Sequence, residues 1–246
     1  MKATERHKLK ENEFARSMAK ARQTIDTRGR DITRLVIAVV AVLLIAGAWT
    51  LWRQSKAAKA NASLASALAL YEAQVVTPTA PAPGSPMPVP QPGTYQTEQA
   101  KLEAALPKFI ETAASYPGTD AGITAEYHAA GILASLGRHP EAEQRYQAVI
   151  DTAGSRIYAR TARLGLAAAQ VAQGKFDAGI ATYTELTRDT NSTIPLDGVL
   201  MQLGRAYAKA GRKEEAARAF TRVVEEFPQS LYLSDARREM EEAQKG

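Results

Sequence analysis

The amino-acid sequence predicts an all-α protein, a stack of helical hairpins behind a single N-terminal transmembrane helix. Three observations carry this expectation. Gly137, Gly174 and Gly211 recur at intervals of 37 residues in matching surroundings, and self-similarity at such a period marks a repeat architecture. Leu35 to Trp52 is a run of 18 residues without a charged side chain, long enough for a helix to cross a bilayer core. After Thr94 the apolar residues keep helical spacing between short Gly- and Pro-containing turns, with no alternating stretch that reads as a strand. The composition of the 246 residues agrees: 45% are apolar and only 7% aromatic, which suits an Ala-rich helical protein better than a β-sandwich.

Residues 1–34 form a basic tail with ten Lys/Arg and five Asp/Glu, a net of +5 that equals the net charge of the whole chain. Beyond Arg53 the balance is 20 basic against 21 acidic side chains. The high pI of about 9.4 therefore belongs to the tail. A nucleic-acid-binding body needs an electropositive face of its own, so no nucleic-acid partner is expected. Phe14, Met18, Ala21 and Ile25 fall on one helical stripe of the tail, with Lys20, Arg22 and Arg28 around it. Such a segment suits anionic lipid or a membrane partner; equally, the charges serve to set topology.

Residues 35–53 are read as the transmembrane helix. A cleaved secretory signal has an apolar region of only about 7–15 residues behind a short basic start, whereas 34 residues precede this one. Membrane attachment is thus assigned to Leu35–Trp52, with Trp49 and Trp52 at the headgroup boundary that indoles favour. Ten cations lie before the span and only Arg53, Lys56 and Lys59 in the next twenty residues. The positive-inside rule places the N-terminus in the cytoplasm and the rest of the chain outside it.

Residues 54–76 read as an Ala-rich helix on the far side, with Leu64, Leu68 and Tyr71 on one face. Residues 77–94 end it: seven of the twelve prolines, Pro78 to Pro92, fall within fifteen positions. Each proline ring removes an amide donor and clashes with the preceding turn, so an extended loop or spacer is expected, with recognition by a proline-binding groove as the alternative.

Residues 95–246 carry the repeat. Five residues after the three glycines stand Ala142, Gly179 and Ala216; nine after them, Tyr146, Tyr183 and Phe220; seven before them, Ala130, Ala167 and Gly204. Small side chains let the two helices of a hairpin approach closely, an aromatic fills the gap to the next pair, and the glycine closes the first helix in a left-handed conformation. An upstream half-unit repeats the offsets with Ala105, Phe109 and Pro117, and Leu64–Tyr71 is the candidate partner helix for it. Part of the 37-residue period is placed in the turns between units, such as Arg188–Pro195. Leu231 to Gln244, with Arg237, Arg238, Glu241 and Glu242 facing outward, suits a polar cap on the last unit.

Candidate chemistry is sparse. With no cysteine there is no disulfide, thiolate metal site or cysteine nucleophile. His7, His128 and His139 are too scattered for an imidazole metal centre. Glu214–Glu215, Glu225–Glu226 and Glu241–Glu242 are adjacent helix positions that point about 100° apart, so they do not converge on a substrate. No phosphate-cradling glycine loop is present. No catalytic residue, metal, cofactor or small-molecule substrate is therefore expected.

The repeat resembles the tetratricopeptide repeat family, best in its last unit through Leu203, Gly204, Tyr207, Gly211, Ala216, Phe220 and Pro228. It departs from that family where Leu200 stands in place of a tryptophan. The resemblance implies a tetratricopeptide-type solenoid that binds protein partners along the face of its first helices. The family's groove positions fall here on Thr124, Tyr127 and Gly131, then Leu164, Ala168 and Val171, then Met201, Arg205 and Lys209. Tyr127, Leu164, Val171, Met201, Arg205 and Lys209 are thus the expected partner-binding residues. With the tail and span, the layout is similar to the ancillary SecYEG translocon subunit family (YfgM-like) of bacterial inner-membrane proteins. That likeness implies a single-pass inner-membrane protein with a periplasmic repeat domain, working beside translocon subunits and recruiting chaperones or exported clients. Phe227 to Ser230, Tyr232 and Ala236 to Arg238 also resemble periplasmic repeat proteins of cell division and envelope assembly, whose members are generally secreted or lipidated, and the alternative function is such a scaffold.

Overall fold

The computed structural model describes residues 3–76, 93–154, 157–188 and 194–245, with side chains from residue 16 onward except 21, 23–29 and 32. The chain divides into two compact units, Met1–Lys56 and Ala57–Gly246. Among the described residues there are nine helices and no strand longer than one bridge.

The described residues of the first unit are all helical and belong to α1 (Ala3–Tyr71). Its apolar stretch is open on all sides: Leu35, Leu44, Ile45 and Leu51 are each about two-thirds exposed, and none of the most apolar 18-residue window is buried. A helix that is apolar all round cannot satisfy its surface in water. Phe14, Ala21 and Ile25 of the tail stripe lie outside the described side chains, and the proline-rich segment and most of Arg188–Pro195 lie outside the described residues.

The second unit begins with the end of α1 and continues through α2 (Glu98–Ser115), α3 (Asp120–Ser135), α4 (His139–Ala153), α5 (Ile157–Ala172), α6 (Phe176–Arg188), α7 (Leu196–Lys209), α8 (Lys213–Glu226) and α9 (Leu233–Lys245). The end of α1 packs as the missing first helix of the upstream half-unit. Ala67 is fully buried among Leu102, Ala105 and Phe109, and the Ser63 and Thr112 hydroxyls lie 2.7 Å apart in a hydrogen bond. The chain leaving α1 and the chain entering α2 meet in a parallel bridge, where Val76 N–H donates to Tyr95 O (2.8 Å) and Tyr95 N–H to Gln74 O (2.9 Å). Thr97 caps α2 by accepting from Ala100 N–H at 3.1 Å.

The repeat geometry follows from the turns. Gly137, Gly174 and Gly211 have φ of +75°, +78° and +75°, a region open to glycine and costly for residues with a Cβ. The basic residue after each glycine donates its N–H back across the helix end: Arg138 to Leu133 O, Lys175 to Gln170 O and Arg212 to Tyr207 O, at 2.8–2.9 Å. Three orphan carbonyls are satisfied in the same way, so the three turns share one backbone geometry. The side chains of two of these residues reach back one unit, Lys175 to Glu143 (2.7 Å) and Arg212 to Asp177. These pairs are largely exposed and stitch rather than support, at well under about 1 kcal/mol.

Three apolar clusters follow one another along the unit. The first joins the end of α1 to α5, the second α5 to α8, and the third α7 to α9. Their fillers are the repeat aromatics, and Phe109, Tyr146, Tyr183 and Phe220 are all buried. Phe220 lies against Gly204, where a Cβ would stand only 2.7–2.8 Å from its Cζ and Cδ1. The small residue seven positions before Gly211 is therefore the seat of an aromatic ring, and Gly165 seats Tyr146 in the same manner. Burial pushes the Tyr146 and Tyr183 hydroxyls up to about 12, which keeps both rings neutral.

Candidate functional site

Successive first helices touch directly, α3 on α5 and α5 on α7, whereas the second helices do not pack on one another to that extent among the described residues. In a stack of hairpins the more closely spaced layer is the inner one. The face carried by α3, α5 and α7 is thus the candidate binding groove.

The structure sorts the expected groove residues into three kinds. Met201 is fully buried beside Leu200 and Phe220 in the third cluster, and Val171 is buried in the second. Neither faces a partner, which corrects their assignment: Val171 is buried in the cluster that α5 shares with α6 and α7, and Met201 in the one that α7 shares with α8 and α9. Arg205 is half-buried but already engaged, with Nε and Nη2 donating to Glu239 at 2.7–3.1 Å and the Asp235 carboxylate 3.9 Å away as a second ion-pair partner. Its guanidinium fastens α9 to α7 rather than waiting for a ligand carboxylate. Tyr127 and Leu164 are half-buried, Thr124 and Gly131 likewise, and Ala168 and Lys209 are exposed. The open part of the groove is therefore Thr124, Tyr127, Gly131, Leu164 and Ala168, with Lys209 as a cation towards its end.

Around Tyr127 the structure joins the repeat aromatics Phe109 and Tyr146 to rings that no repeat offset predicts. Tyr127 lies 5.6 Å from Tyr158, 6.0 Å from Tyr146 and 6.0 Å from His128 between ring centroids. His128 stacks on Phe109 at 5.1 Å with the planes 23° apart, and Tyr71 stands 5.6 Å from His128 and 6.0 Å from Phe109. Lys101 Nζ lies 5.8 Å above the Tyr71 ring. Five helices, α1 to α5, thus meet in one aromatic cluster that locks the end of α1 to the first complete repeat, with Tyr127 at its edge. Such rings give large contact area at low entropic cost.

Burial holds His128 below its ordinary pKa of 6.5, outweighing the opposing field of Glu72. The unfolded chain then binds the proton more readily than the folded one, so His128 makes stability fall as pH drops through and below 6.5. Thermal unfolding of the wild type is expected to move to lower temperature between about pH 7.5 and about pH 5.5. In His128→Phe the shift is expected to be smaller, and an identical shift would remove His128 as its source.

No group of three or more metal-ligating side chains converges among the described residues. Glu143, the most connected carboxylate, accepts from Gln170, Gln173 and Lys175 and is held below the usual carboxylate range first by the Lys175 hydrogen bond. It is a structural tie between successive repeats, from α4 to the end of α5 and the turn after it.

Known proteins with this geometry are repeat proteins. The chain superposes on a putative kinesin light chain from Podosopora anserina with nearly identical TPR-like repeats, at a TM-score of 0.53 and 15% identity over 60% of this chain and 80% of that one. A single-substitution form of the same protein gives 0.53 and 15%, covering 60% and 79%. A tetratricopeptide repeat protein from Parabacteroides merdae gives 0.48 and 14%, covering 60% and 56%. At these identities the likeness to the first protein is one of fold. No curated protein matches the chain. The model of the tetratricopeptide repeat-like domain, however, matches residues 31–238, from just before the apolar helix into α9. With the repeat turns, the seated aromatics and a family match over most of its length, the chain belongs to the tetratricopeptide repeat-like domain family.

Proposed function

We propose that this protein is a single-pass membrane protein with its N-terminus in the cytoplasm. In this reading its repeat domain binds partner proteins in the periplasm beside the export translocon, recruiting chaperones or exported clients. The observation that carries the proposal is that one family match spans both the apolar helix and the repeats. A run of side chains left exposed in the first unit and a repeat domain whose business is protein binding belong to one architecture. The basic tail orients the anchor. The open stretch around Tyr127, Leu164 and Ala168 suits an extended or helical segment with apolar anchors.

Photocrosslinkers placed at Tyr127 and Lys209 in intact membranes are expected to capture translocon subunits or periplasmic chaperones. Ala168→Arg sets a bulky cation in the open groove without touching a buried residue, and it is expected to lower capture at least about tenfold, the scale of one lost anchor. Unchanged capture would move the binding site off this face. Capture of peptidoglycan synthases instead would assign the protein to envelope assembly. Protease treatment of sealed vesicles reads topology separately: digestion of the repeat domain only from the periplasmic side is expected.

A further inference from the structure

The anchor explains the apolar run but not what stands at its end. Trp49, Trp52, Arg53 and Lys56 occupy positions i, i+3, i+4 and i+7 of α1, so at about 100° per residue they share one face. The indole centroids are 5.3 Å apart, and Lys56 Nζ lies 5.6 Å from the centre of the Trp52 ring. Both indoles are more than half exposed, and Arg53 is exposed as well. No acidic residue occurs between Asp31 and Glu72, so neither cation has a carboxylate one turn away on its own helix. Two desolvation-tolerant rings and two uncompensated cations are therefore presented together at the depth where hydrocarbon gives way to phosphate.

We propose that this face is a binding site for an anionic phospholipid of the periplasmic leaflet. Arg53 offers a planar fork that matches phosphate oxygens, and Lys56 adds a point charge about 4–5 Å further along the helix axis. The indoles pack on the glycerol and upper acyl chains, their N–H groups turned to the headgroup. A zwitterionic lipid brings the same phosphate with its own ammonium, which competes for the site; phosphatidylglycerol brings the phosphate alone. The inference rests on the membrane-anchor reading and adds a lipid preference that a simple apolar span lacks.

The chain contains only two tryptophans, so its tryptophan fluorescence, excited at the red edge where its nine tyrosines do not absorb, reports this face. Full-length protein is reconstituted in mixed phosphatidylcholine and phosphatidylglycerol vesicles of fixed composition, brominated on one lipid or the other. Brominated phosphatidylglycerol is expected to quench in preference to brominated phosphatidylcholine. Each of Arg53→Gln and Lys56→Gln is expected to reduce the preference by up to about fivefold, the weight of one cation at a charged leaflet, and the double variant to erase it with quenching retained. Equal quenching by the two lipids in the wild type, or a preference that survives the double variant, would overturn the lipid site and leave the anchor standing. Absence of quenching by either lipid would overturn the span itself.

Discussion

Truncation of Phe220 to alanine is expected to cost about 3–5 kcal/mol, the range for a large aromatic removed from a core that cannot collapse. Phe220 is only 1% exposed and sits among Leu200, Met201, Ala216, Val223 and Ala236 in the third cluster. One side of its pocket is the bare backbone of Gly204, which has no side chain to move into the void. In a repeat stack each hairpin is supported only by its neighbours, so the loss falls on α7, α8 and α9. Urea denaturation of the detergent-solubilised full chain, followed by far-ultraviolet circular dichroism, is expected to show an early step absent from the wild type. Amide exchange over residues 196–245 is expected to rise with it. A cost below about 1 kcal/mol, the level of an ordinary surface change, would mean that the ring does not fill this space.

The second large effect is expected from one methyl group. A Cβ at Gly122 would overlap the Tyr116 carbonyl oxygen, lie 2.9 Å from the Tyr116 carbonyl carbon and 3.2 Å from Thr119 Oγ1. These atoms form the cap of α3: Thr119 Oγ1 accepts from Gly122 N–H at 3.1 Å and donates to Tyr116 O at 2.7 Å. The carbonyl cannot turn aside without breaking the cap, so the α2–α3 turn as a whole has to shift. Gly122→Ala is therefore expected to cost about 3 kcal/mol, the upper part of the range for overpacking, although alanine is the better helix former. Because α2 and α3 hold the end of α1 through Phe109 and His128, amide exchange in residues 57–71 is expected to accelerate in the same variant. If stability instead rises, as helix propensity alone predicts, the close approach is not present in solution.

The repeat was legible because its determinants lie within one period. A left-handed glycine, the N–H behind it and the aromatic nine residues on are tied by local chain geometry, and all three units obey the same offsets. The groove was legible only in part. Tyr127, Leu164 and Lys209 keep some or all of their surface, but Val171 is buried against α6 and α7 and Met201 against α8 and α9. Arg205 is taken by Glu239 from a helix 34 residues further on. The aromatic cluster draws Tyr71 and Phe109 from opposite sides of the proline-rich segment, across a separation with no repeat offset. Gly122 shows the same limit, since nothing in its neighbourhood marks it as a place where two backbones meet.

Periodicity, turn chemistry and an uncharged run long enough to cross a bilayer are properties of short windows, and a chain displays them before it folds. Whether a given side chain remains open to a partner depends on which distant helix settles against it. For Met201, Val171 and Arg205 that depended on packing between units, because exposure is a property of the neighbours and not of the residue.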